Sequence, residues 1–364
     1  MKHERTAVLQ MGYGTPRTRA DILPYYTDIR RGNPPTTQQL AELTARYEAI
    51  GGISPLAQRT EAQRSALQSA LDHAAPGCYH VALGMKHADP FIEQSVDELA
   101  SAGFARIVGL VLAPHYSAFS VGQYLDRLAV AAAPHGIAVS EIKSWATEPA
   151  FVEFIGSDLR ARLSTMPDET RVLFTAHSLP QRILASDDPY PSQLQATAEC
   201  VAAAAAIDNW GLAWQSAGRT AEPWLGPDIL QVIDELGADG HTRGVLVSAV
   251  GFVADHLEVL YDLDIEASKL AAELNKLMPE KAPPDTSRFL LSPMPGLLVS
   301  LAVTQGQAVK AGEELAVIEA SSGSLVGMVG LVPSLLPLAR TGETPFGGDE
   351  SAQNILLSTS VNSL

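Results

Sequence analysis

Short, nearly continuous apolar runs alternate with helical patterns through the part of the chain that precedes residue 270. Each run ends at glycine, proline or ionisable residues, as expected where a strand enters a loop. The runs are TAVLQM at 6–11, HVALG at 80–84, RIVGLVL at 106–112, VLFTA at 172–176 and GVLVSAV at 244–250. Because strands buried on both faces lack polar alternation, the pattern predicts an α/β fold with parallel sheets between helices.

Side chains with reactive groups collect where these runs end. They are Tyr13, Lys86, His87, His115, His177 and Glu258. In open parallel sheets, ligands bind outside the carboxyl ends of the strands, so this placement predicts a binding cleft. A single histidine at a strand end is more often structural than catalytic, and that alternative applies to His177 taken alone.

The segment 251–266, GFVADHLEVLYDLDIE, is predicted to be one amphipathic helix. Its carboxylates are expected on one face: Asp255, Glu258, Asp262 and Glu266. Its apolar side chains are expected on the opposite, buried stripe: Val253, Leu257, Leu260 and Leu263. Like charges at i, i+4 cost roughly 0.2–0.5 kcal/mol per pair in a helix, so the acidic face indicates a cation site. A solvated acidic face is the alternative.

Arginines and tyrosines are interleaved in the long connection between the first two runs. They are Tyr25, Tyr26, Arg30, Arg31, Arg46 and Tyr47, and the turn GGISP follows at 51–55. Arginine forms bidentate bonds with carboxylates and tyrosine stacks on rings, so these residues suit a flat, aromatic, acidic ligand. Composition alone favours the alternative of an ordinary surface helix pair.

Composition narrows the class of protein. The 364 residues include 25 Lys+Arg against 41 Asp+Glu, a net charge of −16, which disfavours nucleic-acid binding. The two cysteines, Cys78 and Cys200, are too few for a four-thiolate iron–sulfur cluster and suit a reducing cytoplasm. We expect no signal peptide and no transmembrane segment, because the chain contains no apolar run of 18 residues.

Six ordered motifs resemble the ferrochelatase family over residues 1 to about 266, and specifically its short, cluster-free bacterial form that metallates coproporphyrin III. The motifs are YGTP at 13–16, YYTDIRRG at 25–32, RYEAIGGISPL at 46–56, APHYS at 113–117, AHSLP at 176–180 and GFVADHLEVLYD at 251–262. The resemblance implies two Rossmann-like halves that face each other across a cleft, in agreement with the predicted parallel sheets.

The resemblance also implies roles for individual residues. His177 and Glu258 are expected to be catalytic, binding Fe²⁺ and handling the two pyrrole protons. Porphyrin-binding residues are expected at Tyr13, Arg30, Arg46, Tyr47, Ser54 and Tyr124. An outer metal site is expected at Asp262 and Glu266. Iron is expected as a substrate, without a tightly bound cofactor, iron–sulfur cluster or biotin.

The C-terminal part departs from that family. Residues 289–320 resemble the first half of a biotinyl carrier domain, but Ser321 and Ser322 follow Ala320 where that family has the biotin-accepting lysine in Met-Lys-Met. We therefore expect a short β-rich fragment without carrier activity. The predicted divisions are a first half at 1–145, a second half at 146–280, a linker at 281–288, the biotinyl-like segment at 289–320 and a disordered tail at 321–364.

The predicted function is ferrochelatase activity on coproporphyrin III in heme biosynthesis, by a lyase-class metal chelatase. The alternatives are a protoporphyrin IX ferrochelatase, a cobalt chelatase of the same fold, and a non-catalytic porphyrin or heme carrier. A biotin carrier is disfavoured by the missing lysine. The expected state is a cytoplasmic monomer with transient contacts to enzymes of the heme pathway.

Overall fold

The computed structural model describes residues 5–218 and 220–277, together with the backbone of four later strands. Contacts divide the chain into two compact units, Met1–Met278 with Asn354–Leu364, and Pro279–Gln353. The first unit contains two parallel sheets with helices packed on them, which confirms the predicted α/β class.

The first sheet has the strand order β2-β1-β3-β4, with every pair parallel. Its strands are β1 (Thr6–Gly12), β2 (Tyr79–Met85), β3 (Arg106–Val111) and β4 (Ala138–Ile142). Its helices are α1 (Ile22–Ile29), α2 (Thr37–Ala49), α3 (Leu56–Ala74), α4 (Ile92–Ser101) and α5 (Val121–Ala132), with short 3-10 turns at Arg19–Asp21 and Ala133–His135. A core that includes Leu9, Ile107 and Leu128 packs this sheet against α4 and α5.

The second sheet contains β5 (Thr170–His177), β6 (Trp210–Gln215) and β7 (Gly244–Ser248). Its helices are α6 (Pro149–Leu163), α7 (Tyr190–Ala205), α8 (Ile229–Asp239), α9 (Leu257–Tyr261) and α10 (Ser268–Leu277), with a 3-10 segment at Gln181–Ser186. Phe174 of β5 packs into one core, whereas its neighbour Leu173 packs into another. Side chains alternate across a strand, so a sheet covered on both faces explains the continuous apolar runs.

The acidic segment is not the single α-helix that its spacing predicts. A loop follows β7, α9 begins only at Leu257, and Asp262–Ala267 is a π-helix that leads into α10. Val253 and Leu263 of the predicted stripe are buried, and so are Val259 and Ala267, whereas Leu257 lines the cleft. Residues 251–256 form a loop and Asp262–Ala267 form a wider π-helical turn, so the spacing of one continuous α-helix does not determine which side chains face the core.

Four strands are described in the C-terminal part. An antiparallel sheet has the order β10-β9-β8, formed by β8 (Gly296–Leu301), β9 (Glu314–Ala320) and β10 (Val326–Gly330). β11 (Leu356–Ser360) pairs in parallel with β7 as the edge of the second sheet. Thus β10 and β11 fall within the segment expected to be disordered. The predicted linker at 281–288 lies outside the described residues.

Candidate active site

A cleft of about 780 Å³ opens at the carboxyl ends of both parallel sheets. Eight of the predicted site residues line it: Tyr13, Arg46, Tyr47, Tyr124, His177, Glu258, Asp262 and Glu266. The loops after β1, β2, β3, β5 and β6 all contribute to its walls, as expected for parallel sheets. The cleft therefore collects residues that are far apart in the sequence.

His177 and Glu258 form a contact in the wall built by the second half. Nδ1 of His177, the last residue of β5, lies 3.1 Å from Oε2 of Glu258 in α9, and the two side chains are 33% and 37% exposed. Gly251 allows this approach, because a Cβ at that position would lie 2.5 Å from Cβ of Ala176. The loop before α9 is thereby packed directly against β5.

His177 and Glu258 shift each other's pKa in opposite directions. Burial lowers the pKa of His177, but the charge of Glu258, its hydrogen bond and the charge of Asp262 outweigh burial, and the pKa is raised. Burial acts to raise the pKa of Glu258, yet His177 and His256 more than offset it and lower that pKa. The geometry thus holds an ionised carboxylate beside a basic imidazole.

His256 is a neighbour of this pair that the sequence analysis did not select. Its Nε2 lies 3.7 Å from the same Oε2 of Glu258, and its Nδ1 lies 3.0 Å from the carbonyl oxygen of Ala254. It directly precedes α9, and its side chain does not cap that helix. Its position two residues before Glu258 was the one sequence signal that could have identified it.

Asp262 lies deeper in the acidic segment and has a different environment. Arg46 forms an ion pair with its Oδ1, and the hydroxyl of Ser216 donates to its Oδ2. Burial raises the pKa of Asp262 to about 6, with Ser216 and Arg46 only partly opposing the shift. Glu266 also lines the cleft and is exposed.

The predicted stripe of four carboxylates is incomplete. Asp255 does not line the cleft, and its Oδ2 lies 3.4 Å from Nη2 of Arg59 in α3. It precedes α9, so the helical spacing that grouped it with Glu258 does not apply. The acidic face that reaches the cleft therefore consists of Glu258, Asp262 and Glu266.

Tyrosines dominate the wall built by the first half. Tyr47 and Tyr124 are only 2% and 7% exposed, whereas Tyr13, directly after β1, is 44% exposed. Burial raises the pKa of Tyr13, Tyr47 and Tyr124, so their hydroxyl groups stay protonated and can donate hydrogen bonds. Gly14 (φ +89°) lets the YGTP turn approach the loop after β2, where a Cβ would lie 2.7 Å from that of Ala88.

Two cationic side chains accompany these tyrosines. Nζ of Lys86 lies 2.6 Å from Oε1 of Gln123 and 5.2 Å from the ring centre of Tyr124. Cζ of Arg46 lies 4.4 Å from the ring centre of Tyr261, and its buried Nε has no hydrogen-bond partner among the described residues. α2, capped by reciprocal bonds between Thr36 and Gln39, carries Arg46 and Tyr47 near its last turn.

Arg30 and Ser54 do not line the cleft. Nε of Arg30 donates to the carbonyl oxygen of Asn33 at 3.2 Å, and its guanidinium lies over Tyr26. The hydroxyl of Ser54 accepts from the backbone N–H of Leu56 at 3.2 Å, at the start of α3. Local backbone bonds thus hold both side chains.

Among the described residues, no group of three or more His, Cys, Asp or Glu side chains has the arrangement of a metal site. Cys78 and Cys200 are both free. No helix in the described ranges combines the length and apolar character needed to cross a membrane.

The ferrochelatase family model matches residues 5–289 of the chain. The chain belongs to the ferrochelatase family. The match extends beyond Glu266, near which the resemblance was expected to end, and includes all of α10.

Named proteins of this family match most of the chain in sequence. A coproporphyrin III ferrochelatase from Oceanobacillus iheyensis is 43% identical over 279 residues, which are 75% of this chain and 89% of that protein. One from Geobacillus kaustophilus is 38% identical over 312 residues, which are 84% of this chain and 99% of that protein. A sirohydrochlorin chelatase structure from Bacillus subtilis subspecies spizizenii, in complex with cobalt, matches with a TM-score of 0.44 and 14% identity, over 74% of this chain and 83% of that one.

Proposed function

We propose that this protein inserts Fe²⁺ into coproporphyrin III, forming Fe-coproporphyrin III (coproheme) and releasing two protons, as a step of heme biosynthesis. The observation that carries the proposal is the 3.1 Å contact between His177 and Glu258 inside a cleft of about 780 Å³. Family relatives that are named coproporphyrin III ferrochelatases support the choice of substrate.

Proton removal is the first demand of this reaction. A porphyrin carries two pyrrole N–H groups, and a divalent metal replaces both hydrogens, so charge balance requires that two protons leave. His177 has a raised pKa and acts as the base that receives the two pyrrole protons one after the other and releases each to solvent. Glu258, whose pKa is lowered, stays ionised and stabilises the resulting imidazolium.

Metal delivery is the second demand. Fe²⁺ accepts both imidazole nitrogen and carboxylate oxygen, so His177 and Glu258 also form the binding site for the incoming substrate ion. Asp262 and Glu266 line the cleft in the same acidic segment and form the outer site that concentrates the cation. Since Arg46 and Ser216 already bond to Asp262, metal binding there requires these contacts to loosen.

Substrate binding is assigned to the first half. Tyr13, Tyr47 and Tyr124 contact the macrocycle, and their protonated hydroxyls donate to its carboxylates. Arg46 supplies a charge-assisted bond to one of the four propionates. Arg30 and Ser54 remain proposed propionate ligands at the rim, and each must first exchange its local backbone bond for the substrate.

Parallel metallation assays test this function. Purified protein is mixed anaerobically with Fe²⁺ and either coproporphyrin III or protoporphyrin IX, and the visible absorbance is followed. Each extra charge-assisted hydrogen bond contributes about 1.5–3 kcal/mol, so we expect coproporphyrin III to react at least about tenfold faster. Faster reaction of protoporphyrin IX contradicts the substrate, and tight porphyrin binding without metallation contradicts the enzyme.

We further propose that the protein acts as a monomer in the cytoplasm, without a tightly bound cofactor, and contacts heme-pathway enzymes only transiently. The two free cysteines support a reducing compartment. Sedimentation of the purified protein together with metal and biotin analysis tests these assignments. A stable dimer or stoichiometric bound metal contradicts them.

A further inference from the structure

Two buried side chains bind the main-chain carbonyl oxygens of the two residues assigned to the chemistry. The hydroxyl of Tyr190 donates to the carbonyl oxygen of His177 at 2.9 Å. Nε2 of Gln215 donates to the carbonyl oxygen of Glu258 at 3.3 Å. Tyr190 is 6% exposed and Gln215 is fully buried, and both line the cleft. Each of the two segments that meet at the 3.1 Å contact between His177 and Glu258 is therefore also held by a second hydrogen bond, to its main chain.

Tyr190 is itself anchored to the first half. It is the first residue of α7, and its backbone N–H donates to Oδ1 of Asp188 at 3.0 Å. Oδ2 of Asp188 accepts from the hydroxyl of Ser117 at 2.9 Å, in the loop that follows β3. Burial raises the pKa of Tyr190, so its hydroxyl keeps the proton that it donates to His177. This chain of bonds connects the backbone of His177 to the opposite wall.

Gln215 connects β5 to α9. Its Oε1 accepts from the hydroxyl of Thr175 at 2.8 Å, and its carbonyl oxygen accepts from the backbone N–H of Ser178 at 2.7 Å. These bonds fix Gln215 to positions on either side of His177. Because its Nε2 reaches Glu258, one side chain sets the separation of the two segments.

We propose that Tyr190 and Gln215 are positioning residues that fix the distance between the imidazole of His177 and the carboxylate of Glu258. The role in metal insertion rests on the proposed function. Neither residue needs to react, because each acts through the backbone of a residue that does. A displacement of about 1 Å at a reacting pair can lower a rate by about 100-fold, so such support has a measurable effect.

The direct test is the crystal structure of Tyr190→Phe, which removes one oxygen atom and leaves the ring. We expect the His177–Glu258 hydrogen bond to lengthen or break, with the fold retained. Gln215→Met provides the second variant and is expected to displace Glu258. Retention of the 3.1 Å contact in both variants overturns the proposal, whether or not the protein metallates porphyrin.

Kinetics then separate positioning from general stability. We expect each variant to lower kcat for metallation roughly 10- to 100-fold while Kd for coproporphyrin III stays unchanged. When Tyr190→Phe is combined with His177→Ala, it should cause no further loss beyond that of His177→Ala alone. An additive further loss, or an equal loss of porphyrin binding, overturns the proposal.

Matched controls lie on the outer side of the first sheet. Gln68 in α3 also bridges main-chain groups, donating to the carbonyl oxygen of Tyr79 at 3.3 Å and accepting from the N–H of Val81 at 2.8 Å. Gln68→Met and Tyr79→Phe should keep wild-type kcat. A loss in these controls equal to that in the cleft variants overturns the positioning role. Absence of metallation by the wild type removes the proposed function but leaves the structural test decisive.

Discussion

The wall of the cleft built by the first half carries mainly hydroxyl and cationic groups, whereas the wall built by the second half carries a cluster of carboxylates and imidazoles. Tyr13, Tyr25, Tyr47, Tyr124, Lys86 and Arg46 lie on the first wall. His177, His256, Glu258, Asp262 and Glu266 lie on the second. The first set suits an anionic aromatic ligand, and the second suits a cation and its displaced protons. The difference supports the proposed division of porphyrin binding and metal insertion between the halves.

Two cleft histidines show how the same residue type is used differently on the two walls. His115 is 1% exposed and only burial acts on it, which lowers its pKa to about 3. Its Nε2 lies 2.8 Å from the hydroxyl of Thr197, whose own hydrogen is directed to a carbonyl oxygen, so Nε2 carries the hydrogen. His177 has a carboxylate partner and a raised pKa. A charged partner, rather than burial, therefore distinguishes His177, the proposed base, from His115.

The acidic segment shows the same effect among carboxylates. Glu258 faces two imidazoles and has a lowered pKa. Asp262, four residues later, has a pKa of about 6, because burial and the neighbouring carboxylates outweigh Ser216 and Arg46. One segment thus provides a carboxylate with a lowered pKa and, four residues later, a carboxylate that can release a proton near neutral pH.

Removing the carboxylate of Glu258, on the second wall, is expected to have the largest effect on metallation. Glu258→Gln should lower the metallation rate constant roughly 10²–10⁴-fold, because the charge that stabilises the His177 imidazolium and helps bind Fe²⁺ is lost. Porphyrin affinity should be retained. Stopped-flow absorbance with bound coproporphyrin III measures the rate, and Glu235→Gln, on the surface of α8, is the matched control. A near-wild-type rate would show that Glu258 is dispensable.

Removing a cation from the first wall should act on binding instead. Arg46→Met should weaken coproporphyrin III binding roughly 10- to 100-fold, since a charge-assisted hydrogen bond contributes about 1.5–3 kcal/mol. The rate at saturating porphyrin should change much less. Fluorescence quenching measures Kd, with Arg59→Met as a control because Arg59 pairs with Asp255 outside the cleft. A fall in rate with unchanged affinity would contradict the division.

The outer carboxylates should have a smaller effect. The double variant Asp262→Ala, Glu266→Ala should raise the apparent KM for Fe²⁺ about three- to tenfold, because the local cation concentration falls. Steady-state metallation at varied Fe²⁺ tests this expectation. Asp255→Ala is the matched control from the same acidic segment. An unchanged KM in the double variant would exclude the outer site.

The smallest effect concerns His115 and acid stability. Its pKa is near 6.5 when unfolded and about 3 when folded, so the unfolded state binds more protons between these values. Stability contributed by the neutral imidazole is therefore lost as pH falls below about 6.5, by about 1 kcal/mol between pH 7.5 and 5.5. The free energy of unfolding of His115→Gln, measured with urea at both pH values, should change between them by about 1 kcal/mol less than that of the wild type. The same pH dependence in the variant and the wild type would mean that His115 is not buried in its neutral form.

Much of the fold was predictable from residue patterns. Continuous apolar runs predicted the parallel strands, and reactive side chains at their ends predicted the cleft. The π-helix at Asp262–Ala267 was not predictable, because three- and four-residue spacings also fit an α-helix. The pairing of β11 with β7 joins segments more than 100 residues apart, and no local pattern encodes it.

The site was predictable where chemistry coincides with a strand end, as at His177. It was not predictable where a role depends on tertiary contact. Arg46 meets Asp262 across the cleft, and Tyr190 and Gln215 act through carbonyl oxygens on other elements. Ser54 matched a family motif, but its hydroxyl bonds to its own loop. These roles depend on distances between elements, which the spacing of residues along the sequence does not specify.

The most direct test of the division between binding and chemistry is a single-turnover measurement on His177→Ala with coproporphyrin III already bound. Porphyrin affinity and the rate of metallation by Fe²⁺ are determined on the same sample. The division predicts wild-type affinity with a rate lowered roughly 10²–10⁴-fold. Loss of porphyrin binding, or metallation at the wild-type rate, would contradict it.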